Sequence, residues 1–164
     1  MTSIRMKGIW RLVFRDAKTG EVIKVIEKEN VLTSSAKNYA AQAYGYMFGQ
    51  SGNRYNWCIM LGTGYGTPTA SDTSLFQPVT STAKKGTVTV TDNAVQFYVR
   101  YEPNEANGYT YTEAGLYDGI AKWSGFDPTA DYALGNLVSH LMFSEPQAKD
   151  ESAALDVYVT ITFV

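Results

Sequence analysis

The stretch that decides the fold is Ala154-Leu-Asp-Val-Tyr-Val-Thr-Ile-Thr-Phe163, in which Leu, Val, Val, Ile and Phe alternate with Asp, Tyr, Thr and Thr. A period of two places the apolar side chains on one face of a β-strand, and a single dry face is typical of a sheet that is packed on one side. The sequence therefore predicts a half-buried antiparallel strand at this end of the chain.

Similar runs of β-branched and aromatic residues, bounded by Gly, Pro, Asn or Asp, occur upstream of this stretch. We predict strands at 57–61, 86–91, 94–101, 109–112, 134–143 and 154–163. The segment 8–29 predicts an N-terminal hairpin with Asp16-Ala-Lys-Thr-Gly20 as its turn. Gly20 is expected to supply the positive φ that such a turn needs, and five residues exclude a tight two-residue connection.

Residues 34–48 have a different composition, because they are rich in alanine and follow Thr33 with hydroxyl side chains that can cap a helix. Helical spacing is shared by Ala36, Tyr39, Ala40, Ala43 and Met47. We see no linker and no internal repeat. The sequence thus predicts one domain over 1–164, mainly β, as a jelly-roll-like antiparallel β-sandwich with one α-helix after the N-terminal hairpin.

Composition excludes several functional classes. The chain has 164 residues, a formal net charge of −2, 18% charged residues and 13% aromatic residues. The low charged fraction and many aromatics argue against disorder, and the absence of basic blocks argues against a nucleic-acid binder. Without a signal peptide or an apolar run that could span a membrane, we expect synthesis in the cytoplasm and no membrane partner.

Few residues suggest catalysis or cofactor binding. The run Gly62-Thr-Gly-Tyr-Gly66 lacks the spacing of a dinucleotide-binding loop, so it is interpreted as a glycine-rich strand exit. His140 is interpreted as a hydrogen-bonded strand histidine, and Cys58 as a small buried hydrophobe. We predict no metal, no cofactor and no catalytic residue.

Three carboxylates offer the alternative of a glycosidase. Glu102, Glu105 and Glu113 lie near one predicted hairpin, and a suitably spaced pair can hydrolyse a glycosidic bond. Structural roles are favoured, because Glu102 and Glu105 are typical of turns. Glu113 precedes Ala-Gly, where a carboxylate can accept backbone N–H bonds and fix a bulge.

Aromatic residues on turn-rich segments are candidates for an interface. Segments 62–75 and 122–131 are long loops, and they carry Tyr65, Trp123 and Phe126. A core role is less natural there, so we predict these three side chains as contacts with a partner. Tyr98, Tyr109 and Tyr111 are interpreted as core or subunit-interface residues in preference to a glycan platform.

Several segments, in this order, resemble a family of bacteriophage virion proteins that includes tail-fibre-like, tail-collar and other accessory structural proteins. The likeness is carried by Gly8–Glu21, by Glu29-Asn-Val-Leu-Thr33 leading into the helix, by Ile59–Leu75 with its L-G-T-G and S-D-T-x-L elements, by Glu105–Tyr117 with E-A-G-L-Y, and by the closing strand. In that family such segments commonly lie within longer fibre chains, whereas this chain ends on the strand at Val164. We therefore expect a compact decoration, collar or adaptor subunit at least as much as a distal fibre tip.

The resemblance implies a non-enzymatic structural subunit located in the virion. Its expected partners are other phage virion proteins and further copies of itself, as a trimer or higher homo-oligomer. A carbohydrate- or receptor-binding module for host surface glycans is the alternative, since tyrosine rings stack on sugars. The sequence leaves head or tail location open.

Overall fold

The computed structural model describes residues 5–37, 40, 57–118 and 136–164. These ranges contain nine strands: β1 (Met6–Asp16), β2 (Val22–Glu29), β3 (Val31–Leu32), β4 (Trp57–Gly62), β5 (Thr87–Thr91), β6 (Ala94–Tyr101), β7 (Tyr109–Asp118), β8 (Asn136–Lys149) and β9 (Ala153–Phe163). A 3-10 turn, Thr80–Thr82, precedes β5, and residues 34–37 are helical.

The strands form two antiparallel sheets. The five-stranded sheet has the order β2-β1-β9-β6-β5, and the four-stranded sheet has the order β3-β8-β7-β4. The chain passes between sheets after β2, β4, β6 and β8, so every sheet contains strands that are distant in sequence. The predicted antiparallel sandwich, with one short helix after an N-terminal hairpin, is confirmed.

The core lies between the two sheets and follows the predicted alternation. The central strand β9 buries Leu155, Val157, Val159 and Ile161 on one face, opposite apolar residues of β4, β7 and β8. Direct hydrogen bonds also join the sheets, because Trp10 Nε1 donates to Ser139 Oγ of β8 at 2.7 Å and Tyr101 Oη donates to Ile59 O of β4 at 3.2 Å. Burial and satisfied polar groups together hold the layers.

Asn30 marks the first crossing between the sheets. Its side-chain amide donates to Ser139 Oγ and to Val31 O, and Thr33 beyond it donates from N–H to Val138 O at 2.9 Å. Gly8 of β1 leaves room for this side chain, since a Cβ there would lie 2.3 Å from Asn30 Oδ1. The Asn-Val-Leu-Thr passage thereby transfers the chain from β2 to β3.

Two strands are longer than predicted. β7 extends from 109 to 118 and β8 from 136 to 149, whereas the sequence indicated 109–112 and 134–143. Both strands continue because the β7–β8 pairing resumes after a register shift between Tyr111 and Glu113. In the N-terminal hairpin, Gly20 has φ +73° as expected. Of the predicted helix, 38–39 and 41–48 lie outside the described residues.

Candidate functional site

A loop leaves β4 and returns alongside it, and we call residues 62–77 the glycine loop. Its ends are joined where Thr63 N–H donates to Gln77 O at 2.9 Å, and where Val79 N–H donates to Leu61 O at 2.9 Å just beyond. Farther along, Ala70 O accepts the N–H of Ser34 at 2.8 Å. The loop is therefore closed at its base and attached to the chain that follows β3.

Glu113 of β7 binds both limbs of this loop, the outgoing limb at Gly64 and the returning limb at Phe76 and Gln77. The carboxylate is fully buried and accepts backbone N–H bonds from Gly64 at 3.1 Å, Phe76 at 3.0 Å and Gln77 at 2.8 Å. It stands beside the β7–β8 register shift, which turns its side chain toward the loop. The predicted role of Glu113, a carboxylate that accepts backbone N–H bonds at a bulge, is confirmed.

His140 of β8 connects Glu113 to a third group, Asp72 of the glycine loop. Its Nε2 lies 2.8 Å from Glu113 Oε2 and its Nδ1 lies 2.7 Å from Asp72 Oδ2. Asp72 itself accepts bonds from Thr69 N–H at 2.9 Å and from Thr69 Oγ1 at 2.8 Å. An imidazolium has a donor on each nitrogen, so the protonated ring matches the two carboxylates.

The electrostatics of this cluster favour its charged form. Burial opposes charge on His140, but hydrogen bonds to Glu113 and Asp72 outweigh it and raise the histidine pKa. Burial would raise the pKa of Glu113, yet the bonds from His140 and the loop N–H groups lower it overall. The pKa of Asp72 is likewise lowered, because bonds from Thr69 and His140 outweigh its burial.

All three glycines lie against the returning limb of the loop, and at Gly62 and Gly64 a Cβ would meet backbone atoms of Gln77. A Cβ at Gly62 would lie 2.6 Å from Glu113 Oε1, and one at Gly64 would lie 2.4 Å from Phe76 Cβ and 2.5 Å from Gln77 N. At Gly66 the added carbon would meet the Phe76 ring at 2.6 Å. The strand-exit interpretation of this run holds, and its physical reason is contact between the two limbs of the loop.

The Asp72–His140–Glu113 cluster holds the glycine loop in place and occupies both ring nitrogens of His140. Both ring nitrogens of His140 face carboxylates, so neither is available to activate a hydroxyl or thiol. Cys58 is buried, and burial raises its thiol pKa to about 12. In the part of the chain that the structure describes, no group of three or more His, Cys, Asp and Glu side chains could hold a metal ion.

The predicted contact residues divide into two groups. Tyr65 lies on the glycine loop, and its side chain is 74% exposed. Trp123 and Phe126 lie outside the described residues. Phe76, which sequence reasoning missed, is 41% exposed on the returning limb of the same loop, and its ring packs against His140 with centroids 4.7 Å apart.

The other two carboxylates of the glycosidase alternative have separate partners. Glu105 binds Lys84 Nζ and accepts the N–H of Glu102 at 2.8 Å, while Glu102 pairs with Arg100 at 3.3 Å. Glu113 is engaged by His140 and the glycine loop. Each carboxylate thus has the structural use that the sequence favoured.

Asp72 was also missed by sequence reasoning. Its one local signal is the Thr69-Ala-Ser-Asp72 turn, in which the carboxylate binds back to Thr69, and this signal does not reveal a histidine 68 positions away. The same holds for Tyr117, whose hydroxyl accepts the N–H of Leu75 at 2.8 Å. These contacts depend on strand register.

Comparison of the chain with protein-family models, curated proteins and solved structures found no significant match. Within the described ranges, no helix has the length and apolar character needed to cross a bilayer.

The pKa shifts predict a stability maximum in mildly acidic solution. The raised pKa of His140 contributes stability that is complete below about pH 6.5, its usual unfolded value, and is lost as pH rises through the folded value. The lowered pKa values of Glu113 and Asp72 contribute above about pH 4.5 and are lost as pH falls. We expect the cluster to stabilise most between those limits.

Urea unfolding of the wild type and of His140→Gln at several pH values between 4 and 9 measures this effect. The wild type should lose free energy of unfolding from pH 6 to pH 9, whereas the variant should change less over the same interval. Equal slopes for the two proteins above pH 6 would show that folding does not raise the pKa of His140.

Proposed function

We propose that this chain is a non-enzymatic structural subunit of a bacteriophage particle, which self-associates and binds other virion proteins through the glycine loop. The observation that carries the proposal is a surface loop that is held on its inner side by the buried Glu113 and His140 side chains. On its outer side the same loop exposes Tyr65 and Phe76 to solvent. A rigid loop loses little conformational entropy on binding, which favours a durable protein contact.

The position of the resembling segments also supports this proposal. The S-D-T-x-L element supplies Asp72, and the E-A-G-L-Y element supplies Glu113. The Asn-Val-Leu-Thr passage places Val31 opposite His140. These passages, far apart in sequence, therefore build one feature, the support of the glycine loop, and a rigidly supported loop is suited to assembly.

The test is whether the chain enters particles and whether the loop aromatics are needed for it. Antibody labelling and mass spectrometry should find the wild-type chain in purified particles from the host that carries the gene. Tyr65→Ala/Phe76→Ala should lower incorporation at least about tenfold, because exposed aromatic anchors dominate such contacts. Ile23→Ala, which removes an exposed apolar side chain of β2, serves as the control.

Circular dichroism must show that the double variant stays folded. Particles that lack the wild-type chain would contradict the virion role. Normal incorporation of a folded double variant would retain that role but exclude the glycine loop as the contact.

The exposed Tyr65 and Phe76 rings also favour the glycan-binding alternative, since sugar rings stack on aromatic faces. A glycan array discriminates between the two proposals. Saturable binding that Tyr65→Ala abolishes would favour a receptor-binding module, whereas a structural subunit gives no saturable signal.

A further inference from the structure

Within the described residues, the two sheets have four edges, and three of these edges are protected. β2 carries charges along its length, and its pairing with β1 contains a bulge between Phe14 and Arg15. β3 is only two residues long. β4 is covered because Ile59 and Lys84 exchange main-chain hydrogen bonds at 2.8 Å each. Charges, bulges, short strands and covering segments are the usual devices that prevent a sheet edge from pairing with another chain.

In the part of the chain that the structure describes, the fourth edge, β5, has none of these devices. Its five residues are all exposed, its pairing with β6 is regular, and it has no charge and no proline. Val88 is 45% exposed and Val90 is 73% exposed. An uncharged, regular edge strand with exposed β-branched side chains is suited to main-chain pairing with a further strand.

The sequence of β5 indicates what that further strand is. Thr87-Val-Thr-Val-Thr91 reads identically in both directions about Thr89. When two copies pair antiparallel about this residue, each valine faces a valine and each threonine faces a threonine. The strand is complementary to itself.

Main-chain geometry is compatible with the same register. The β5–β6 hairpin turns through Asp92 and Asn93, so the residues that flank this two-residue turn, Thr91 and Ala94, form a hydrogen-bonded pair. Hydrogen-bonded and non-bonded pairs alternate, which directs the N–H and C=O groups of Val88 and Val90 away from β6. Pairing about Thr89 places Val88 opposite Val90 of the other copy, where they can exchange about four hydrogen bonds.

The valine side chains add apolar contact to this pairing. Val88 lies opposite Phe97 and Val90 lies opposite Val95, so both valines are on the core-facing side of the five-stranded sheet. The two valine side chains are nevertheless exposed, because β5 is an edge strand and they lie where the core ends. A second copy would continue that apolar surface across the new strand pair.

We propose that β5 pairs antiparallel with β5 of a second copy of this chain, about a two-fold axis through Thr89. The proposal deepens the self-association that the proposed function requires, and it rests on that function. A two-fold contact of this kind gives a dimer by itself, and an even-numbered assembly where it is combined with another symmetry axis.

A cysteine cross-link tests the register. In the proposed pairing the two copies of Thr89 face each other as a non-hydrogen-bonded pair about 4.5 Å apart at Cα, within the reach of a disulfide. Thr89→Cys should therefore cross-link to twice the 18.1 kDa chain mass on mild oxidation with copper phenanthroline. Cys58 is buried and does not compete.

Thr87→Cys is the matched control, because its two copies would lie about 13 Å apart along the strands, too far for a disulfide. Cross-linking of Thr89→Cys alone supports the register. Equal cross-linking of both variants, or of neither, overturns it.

Sedimentation equilibrium tests the surface itself. Val88→Lys should weaken the dimer at least about tenfold, since each interface would bury unpaired ammonium groups. Val25→Lys on β2 is the control, because Val25 is as exposed as Val88, at 45%. A wild type that is monomeric at every concentration overturns the proposal, as does an oligomer that Val88→Lys leaves unchanged.

These outcomes are distinct from failure of the proposed function. An oligomer that depends on another surface leaves the particle role intact, and incorporation into particles is measured without reference to β5. A chain that dimerises through β5 but is missing from particles would retain the interface and exclude the virion role.

Discussion

Glu113→Gln should lower the free energy of unfolding by about 3 kcal/mol, as is typical when one partner of a buried charged pair is removed. The carboxylate accepts three backbone N–H bonds and faces the His140 ring. Glutamine has one acceptor oxygen, and its NH2 group would face donors. In either orientation of the amide, two buried donors would lack an acceptor: the Phe76 N–H and the imidazolium, or the N–H groups of Gly64 and Gln77.

Urea unfolding at pH 6, where the cluster is charged, measures this loss. Glu27→Gln is the matched control, because Glu27 forms an exposed ion pair with Arg11 at 3.9 Å, and such pairs contribute little. The control should have the same midpoint urea concentration of unfolding as the wild type. A loss below about 1 kcal/mol for Glu113→Gln would show that the buried charge does not hold the glycine loop.

Gly64→Ala should destabilise the protein by about 3 kcal/mol, at the upper end of the cost of overpacking. The added methyl group would lie 2.4 Å from Phe76 Cβ, 2.5 Å from Gln77 N and 2.8 Å from Glu113 Oε1. Two of these atoms belong to the neighbouring limb at or next to its backbone, so a side-chain rotation cannot relieve the contact. The limbs must separate, which breaks the hydrogen bonds to Glu113.

Gly66→Ala separates this steric effect from the general effect of losing a glycine. Its methyl group would meet only ring atoms of Phe76, at 2.6 to 3.0 Å, and that ring is partly exposed and able to turn. We expect the midpoint urea concentration of unfolding of Gly66→Ala to lie close to that of the wild type. Equal destabilisation by both substitutions would mean that the loop limbs are not held together at Gly64.

The two substitutions also test how the glycine loop is assembled. Glu113→Gln removes the acceptor, and Gly64→Ala displaces one of its donors, so the double variant should lose less stability than the sum of the two single variants. Additive losses would indicate that the carboxylate and the close packing act independently.

Local chemistry allowed much of the fold to be predicted. Alternation in 154–163 and turn residues between the other apolar runs indicated the strands, and the hairpin turn with Gly20 at φ +73° was expected from its composition. Interactions within a strand or a turn involve neighbours in sequence, so their signals are visible in one segment. The extensions of β7 and β8 were not visible, because they depend on pairing between the two strands, which continues across the register shift between Tyr111 and Glu113.

The same distinction between local and long-range interactions applies to the candidate site. The sequence by itself determined that Glu113 would bind backbone N–H groups, that His140 would be a hydrogen-bonded strand residue and that Tyr65 would lie on a turn-rich loop. Only the tertiary structure decided that Asp72, Glu113 and His140 form one buried cluster. Their meeting depends on the register of β7 against β8 and on the return of the glycine loop, and these long-range pairings are selected by burial of the whole core rather than by any local pattern.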